Sequence, residues 1–152
     1  MKHLAVLLLA LVSGCQTAEN ESVPHLGERI SLPDDHGGLM IAAAQISPST
    51  TLTRGGIAYT VAVDDLNRII YVSSSSSSFK TPEGLSTEST LEQVLAAGGR
   101  PLMYETGWAY YSELPSGWRA AFYGIKMDGD KVVELLKEPS LSTHVDQFFR
   151  RR

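Results

Sequence analysis

Acidic and histidine side chains that could perform chemistry come together at one place in the sequence. Asp34, Asp35 and His36 are consecutive, and such a set could supply metal ligands or the acid and base of a small hydrolase. A closed zinc site needs four ligands, and the sequence shows no further ones for this cluster. Because Asp and the Gly residues that follow commonly form turns, the sequence favours a turn here. We therefore predict no metal site.

Candidate nucleophiles and phosphate-binding loops follow no known catalytic pattern. Ser116 lies in the segment Leu-Pro-Ser-Gly-Trp, which is typical of a turn and lacks the Gly-x-Ser-x-Gly elbow of hydrolases. The Gly-Gly pairs next to Arg54 and Arg100 read as turns, not as the glycine-rich loop that cradles phosphates before a helix. The sequence thus predicts a protein that is not an enzyme, with no catalytic residues and no cofactor.

The only cysteine, Cys15, follows a short apolar leader. Lys2 supplies a positive charge, and residues 4–12 are uninterrupted apolar ones. Nine helical residues reach about 14 Å at ~1.5 Å per residue, well short of the ~30 Å core of a bilayer. This is the length of the hydrophobic region of a signal peptide. A single cysteine also excludes an intrachain disulfide.

Val12, Ser13, Gly14 and Cys15 together resemble the lipobox of bacterial lipoproteins, in which an aliphatic and two small residues precede the cysteine that is lipidated. The resemblance implies a signal peptide over residues 1–14, cleavage before Cys15 and a diacylglyceryl thioether, often with an added N-acyl group. Several acyl chains attach a protein stably, whereas one chain binds only marginally. The alternative is an ordinary secretory signal peptide that contains a cysteine.

The residues after Cys15 indicate where the anchored protein would lie. Gln16 stands where an Asp often signals retention in the inner membrane, so the resemblance favours the outer membrane, facing the periplasm. Residues 15–27 are polar and interrupted by Pro24, which predicts a flexible tether. A formal net charge of −4 gives no electrostatic reason to bind nucleic acid. The expected partners are the membrane, through Cys15, and another envelope protein.

Residues 28–138 are expected to form a single α+β domain, an antiparallel β-meander with one short helix packed on it. Larger and smaller side chains alternate over residues 57–63, which predicts a strand. Residues 68–72 follow after a polar turn and are expected to pair with it in a hairpin. The six serines at 73–78 then predict a strand end that leads into a loop.

The second half of the domain carries the helix signal and the remaining strand signals. Ser89 and Glu92 predict a capped helix start, and the glycines at 98–99 predict its end. The apolar runs that follow are separated by tight turns, which favours an antiparallel sheet. Residues 139–152 are expected to be a solvated C-terminal tail.

From the helix start onwards, seven residues follow a recognisable pattern of helix start, helix core, helix stop and strand positions: Thr90, Val94, Gly99, Pro101, Trp108, Tyr110 and Phe122. In this pattern the chain resembles the BamE (SmpA/OmlA) family of periplasmic lipoproteins, which is similar in layout to β-lactamase inhibitor proteins. The resemblance covers roughly a third of the chain and uses residues that determine a fold. It implies a non-catalytic module in envelope assembly or inhibition.

Aromatic side chains are concentrated in the predicted strands of the second half. Adjacent strand residues point to opposite faces of a sheet, so Tyr110 and Tyr111 cannot both enter one core. An exposed aromatic face would suit the docking of a partner, although another element could cover that face. We predict that Trp108, Tyr110, Tyr111 and Trp118 are partner-binding residues.

Three functions are compatible with these observations. The first is a lipid-anchored binding or scaffolding protein that docks another envelope protein. The second is an inhibitor of a periplasmic hydrolase, such as a lysozyme or a protease, that inserts the turn at residues 115–117 or the loop at 73–84. The third is a small hydrolase that uses Asp34, Asp35 and His36.

Overall fold

The computed structural model describes residues 22–152, apart from 124–125, 129–130 and 135–136, and gives the backbone alone for 126–128 and 131–134. The predicted signal peptide and the predicted lipidation of Cys15 lie outside the described residues. The elements in chain order are β1 (Gly37–Ala42), β2 (Gln45–Arg54), β3 (Ile57–Val63), β4 (Ile69–Ser74), α1 (Leu91–Ala96), β5 (Met103–Glu105), β6 (Ala109–Glu113), β7 (Arg119–Phe122), β8 (Lys126–Asp128), β9 (Lys131–Glu134) and β10 (Gln147–Arg151).

Eight of these strands form one antiparallel sheet in the order β1-β2-β3-β4-β10-β7-β6-β5, and β8 and β9 form a separate hairpin. The expected α+β class is therefore wrong, because 42% of the chain is strand and only 5% is helix. A strand forms, for example, at Gln147–Arg151, where the sequence predicts a solvated tail. The helix ends after six residues. The chain is a mostly antiparallel β protein, with one short helix beside its sheet.

The antiparallel pair of β3 and β4 confirms the hairpin that the alternation of side chains predicted. Val61 pairs with Val72 in an antiparallel register. Asp64 organises the turn, since its Oδ1 accepts hydrogen bonds from the backbone amides of Leu66 and Arg68 at 3.0 and 2.9 Å. Asn67 takes a left-handed conformation there, with φ of 56°, which asparagine tolerates better than most residues.

The helix begins one residue later than the sequence predicted. Thr90 is the N-cap, and its hydroxyl accepts from the backbone amide of Gln93 while the Gln93 side chain accepts from the backbone amide of Thr90. Ser89 is engaged elsewhere, because its hydroxyl accepts from the backbone amide of Ser86. Gln93 is thus the second residue of the capping box, where the sequence predicted Glu92.

The C-terminal residues form the centre of the sheet, so the expected solvated tail is wrong. Strand β10 lies between β4 and β7 and pairs with both. Phe148 and Phe149 are both fully buried, one on each face of the sheet. A strand that buries side chains on both faces gains far more from apolar burial than a solvated segment would.

The two faces of the sheet have separate cores. On the face we call outer, α1 and the loop between β4 and α1 cover the larger core, which includes Val61, Phe79 and Phe148. On the face we call inner, a smaller core lies directly against the curled sheet. Its members are Ile41, Ala62, Tyr71, Trp108, Ala109, Ala121 and Phe149.

The sheet curls into a half-barrel around the inner face. Bulges near Ile41 and Val63 bend the strands, and small inner residues such as Ala62 and Ala121 leave room for the curl. As a result β1, at one edge, meets the β5–β6 turn at the other. The Trp108 indole donates to the Met40 carbonyl at 3.2 Å. We call this junction the seam.

Candidate functional site

The four aromatic residues predicted to bind a partner do not share one exposed face. Trp108 is 6% exposed in the inner core, and Trp118 is 2% exposed in the outer core. The prediction that they form an accessible surface is therefore wrong, because the curl and the covering loop bury them. Tyr110 and Tyr111 are partly buried on the outer and inner faces, which confirms that they point to opposite sides.

Exposed apolar side chains instead collect at the two edges of the sheet. Met40 and Ile46 are directly opposite each other in the β1–β2 pair and are 46% and 70% exposed. Tyr104 on β5 is 50% exposed and stacks on Tyr110 with ring centroids 4.7 Å apart. All four side chains point to the outer face, and we call Met40, Ile46 and Tyr104 the seam patch.

Hydrogen bonds across the seam connect the two sheet edges that carry the patch. The backbone amide of Ala43 donates to Glu105 Oε1 at 3.0 Å. Arg151 Nη1 donates to the Ile41 carbonyl at 2.8 Å, and the Arg151 guanidinium also forms an ion pair with Glu105. Side chains thus form hydrogen bonds with backbone groups at the β1 edge. In an open edge strand, these groups would be free to pair with other chains.

The electrostatics of the seam favour this closed arrangement. The hydrogen bond from Arg151 is the largest influence on Glu105 and holds the pKa of that carboxyl below its usual value, in spite of partial burial. Arg151 also packs on the Trp108 ring, with its guanidinium carbon 5.0 Å from the ring centroid. A charge-assisted pair and a cation–π contact therefore act together at one point.

The seam patch lies far from the place where the described chain begins. Ser22 packs beside the β2–β3 turn, since a Cβ on Gly55 would lie 3.3 Å from the Cβ of Ser22. Ile46 is at the opposite end of β2. Eight residues at ~3.3 Å each place Ile46 about 26 Å from Arg54. The described chain therefore begins at the end of the sheet opposite the patch.

The segment before β1 is more ordered than the expected tether. Pro24 is buried, and the backbone amide of Gly27 donates to the Ile69 carbonyl at 2.7 Å. Glu28 forms an ion pair with Arg54 on β2. Residues 22–28 thus pack on the sheet, and the prediction of a flexible tether fails for this part of it.

The acid–histidine cluster lies on an exposed turn before β1. Asp34, Asp35 and His36 are all exposed, and His36 Nδ1 is 3.1 Å from the Pro33 carbonyl oxygen. Within the described part of the chain, His, Cys, Asp and Glu side chains form no group of three that could hold a metal ion.

The two loops considered for an inhibitor are joined to each other. Glu83 accepts hydrogen bonds from the backbone amide and the hydroxyl of Ser116 at 2.8 and 3.0 Å. Arg150 Nη2 donates to the Ser116 carbonyl at 2.6 Å, and Gly117 takes a φ of 81° that glycine adopts without strain. The turn is therefore held in one conformation.

Comparison with known proteins finds no relative of this chain. No family model, no curated protein and no solved structure matches the chain. The resemblances to the lipobox and to the BamE family therefore stay predictions. Among the residues that the structure describes, no helix is long and apolar enough to cross a membrane.

Sequence reasoning missed the residues of the seam patch. Ile46 lies among polar residues in a strand of mixed composition, where one apolar side chain gives no sign of whether it is covered. Tyr104 lies in the aromatic-rich second half, where the sequence gives no sign that this ring is exposed. Their exposure depends on where the edges of the sheet meet, and that is a property of the curl.

Proposed function

We propose that this protein is a lipid-anchored, non-catalytic binding protein of the bacterial cell envelope that docks another envelope protein through the seam patch. One observation carries the docking proposal. Three of the seven large apolar side chains that the described residues expose, namely Met40, Ile46 and Tyr104, lie on the outer face of the two sheet edges that meet at the seam. Exposed apolar side chains that cluster mark interaction surfaces, whereas single ones do not.

The position of the patch favours a protein over the membrane as its occupant. An anchor at Cys15 would lie seven residues before Ser22, and at ~3.6 Å per residue these extend at most about 25 Å. The patch lies at the opposite end of β2 from Ser22. A lipid on Cys15 therefore brings the other end of the molecule to the membrane and leaves the seam patch facing away.

Site-specific photocrosslinking in living cells tests the docking proposal. A photoreactive phenylalanine at position 46 is expected to give one discrete crosslinked protein, and Tyr104→Asp is expected to reduce that product at least tenfold. The matched control position is Leu66, which is 56% exposed on the β3–β4 turn. Equal products at both positions, or lipid adducts alone at position 46, would contradict docking at the seam.

Metabolic labelling tests the anchor independently. Labelled palmitate is expected to enter the full-length protein and to be absent from Cys15→Ser. Equal labelling of both forms, or none of either, would leave the protein without the proposed anchor, whatever the crosslinking result.

A hydrolase inhibitor is a second candidate, favoured by the fixed turn at Ser116. Inhibitors that present a preformed loop avoid the cost of ordering that loop on binding. If this second function is correct, the purified protein should inhibit a periplasmic lysozyme or protease, and Glu83→Gln should weaken inhibition by releasing the turn. Unchanged inhibition in Glu83→Gln would separate any inhibitory activity from this loop.

A further inference from the structure

A cavity of about 240 Å³ lies on the outer face at the end of the molecule opposite the seam. Its walls are formed by Ser22, Val23 and His25, by the first residues of β3, by the loop at 79–82, and by Trp118 and Arg150. Drug-sized ligands occupy pockets of about 300–1,000 Å³. Any ligand of this cavity is therefore small.

Two residues that line this cavity each carry a buried polar atom without a protein partner. In the described part of the chain, the hydroxyl of Tyr59 and the Nε of Arg150 are the two buried side-chain polar atoms that make no hydrogen bond to the protein. Both residues line the cavity. A buried polar group without a partner costs about 1–3 kcal/mol, so two in one place require an explanation.

Both groups act as hydrogen-bond donors. Arg150 Nε carries a proton and has no acceptor lone pair. Burial raises the pKa of Tyr59 above its usual value, so its hydroxyl keeps its proton. Two donor residues that line one cavity fit an oxygen-rich acceptor, such as a carboxylate.

The charge of the lining is positive although the chain as a whole is acidic. Lys80 and Arg150 line the cavity together with His25, and the lining includes no carboxylate. Glu83 is near enough to raise the pKa of Arg150, against the larger lowering effect of burial. The Glu83 carboxylate, however, is bonded to Ser116 and forms no ion pair with Arg150.

The rest of the lining is apolar and aromatic. Phe79 and Trp118 both face the cavity and pack against each other with ring centroids 4.7 Å apart. The guanidinium carbon of Arg150 lies 4.7 Å from the centroid of the Trp118 ring. This stacking fixes the plane of the guanidinium, and apolar walls beside a fixed cation suit a ligand with an apolar body and an anionic end.

We propose that this cavity binds a small organic anion, with its carboxylate against Arg150 and Tyr59 and its apolar body against Phe79 and Trp118. This site is separate from the seam patch and goes beyond protein docking. The anion can come from a free carboxylic acid or from a lipid, since the cavity lies beside the residues that lead to Cys15. The shared chemistry is an anionic oxygen pair on an apolar body.

Calorimetric titration of the full-length protein in phosphatidylcholine nanodiscs tests the proposal. Benzoate and octanoate are the probes, and benzamide is the neutral control. At least one of the two carboxylates is expected to bind saturably, with at least tenfold higher affinity than benzamide, and to change tryptophan fluorescence. Equal binding of benzamide, or no saturable binding of either carboxylate, would overturn the proposal.

Three variants identify the groups responsible. Arg150→Met is expected to lower the affinity at least tenfold, and Tyr59→Phe about threefold or more. Tyr71→Phe is the matched control, because Tyr71 is a buried tyrosine of the neighbouring strand whose hydroxyl accepts from Gln147 Nε2 at 2.8 Å on the inner face. Equal loss of affinity in Tyr59→Phe and Tyr71→Phe would show a general effect of folding and overturn the assignment.

Repeating the titration in phosphatidylglycerol nanodiscs distinguishes the two sources. If a lipid headgroup occupies the site, benzoate affinity falls at least threefold relative to phosphatidylcholine, and Arg150→Met abolishes the difference. If the ligand is a free acid, the affinities agree. A fall that persists in Arg150→Met would place the lipid effect outside this cavity and remove the lipid as a source.

Discussion

Arg150 and Arg151 are neighbours on β10, and they have opposite surroundings because strand residues alternate between faces. On the inner face, Arg151 bonds to Glu105 and to the Ile41 carbonyl and packs on three aromatic rings. On the outer face, Arg150 donates one hydrogen bond to the Ser116 carbonyl and leaves Nε without a protein partner. The same residue type thus closes a structural network on one face and lines a cavity on the other.

The tyrosines of the neighbouring strands repeat this contrast. Tyr71 points inward, and its hydroxyl accepts a hydrogen bond from Gln147, whereas Tyr59 points outward and its hydroxyl has no protein partner. Both side chains are buried, at 2% and 1% exposure. The difference therefore lies in hydrogen bonding and not in burial. The Tyr71 hydroxyl is thus satisfied within the inner core, whereas the Tyr59 hydroxyl is a donor that the proposed ligand would use.

The largest expected effect comes from removing each arginine in turn. Arg151→Met leaves Glu105 without its cation and opens the seam, so it should lower the free energy of unfolding by about 2–4 kcal/mol. Arg150→Met removes an unpaired polar atom together with one hydrogen bond and the stacking on Trp118, so the loss should be smaller, about 1–2 kcal/mol. Urea unfolding followed by tryptophan fluorescence measures both. Equal losses of unfolding free energy in the two variants would contradict the proposed difference between Arg150 and Arg151.

A smaller effect is expected from the two tyrosine hydroxyls. Tyr71→Phe leaves Gln147 without this acceptor and should destabilise the protein by about 1 kcal/mol. Tyr59→Phe removes a buried hydroxyl that has no protein partner, and the free energy of unfolding should stay the same or rise. Thermal unfolding without added ligand gives both values. A loss in Tyr59→Phe as large as in Tyr71→Phe would mean that the Tyr59 hydroxyl is already satisfied.

Acid should weaken the inner face through Glu105. Its pKa in the folded protein is lowered below the usual 4.5 by the hydrogen bond from Arg151. A lowered carboxyl pKa contributes stability that is fully present above the unfolded pKa and is lost as pH falls through the folded pKa. Urea midpoints should therefore fall below about pH 4.5, and less steeply in Glu105→Gln. Parallel curves for the two proteins would contradict a role for this carboxyl.

The smallest effect on stability is expected at the seam patch, which belongs to neither core. Ile46→Glu should change the free energy of unfolding by no more than about 0.5 kcal/mol, as exposed substitutions usually do. The same change should abolish the proposed docking. Circular dichroism during heating, compared with Leu66→Glu, checks the first expectation. A large drop in the midpoint would show that Ile46 is part of the packed structure.

Local patterns predicted part of this fold well. The alternation from Ile57 to Val63 and the polar turn after it specified a hairpin, since strand period and turn chemistry are local properties. The helix start was displaced by one residue, because Ser89 and Thr90 can both act as caps and the surrounding contacts selected Thr90. The C-terminal strand was missed because Phe148 and Phe149 are adjacent, and such a pair looks unpatterned unless both faces of the sheet are covered.

What the sequence by itself determined is local: the strand alternation, the turns and the helix cap, and also that Arg150 and Arg151 must point in opposite directions if they lie in a strand. Only the tertiary structure decided which of them is paired. The carboxylate that bonds Arg151 is 46 positions away in the chain, and it reaches this arginine because the curled sheet brings β5 over the inner face. Such long-range contacts depend on how all the strands pack together, and no local pattern encodes them.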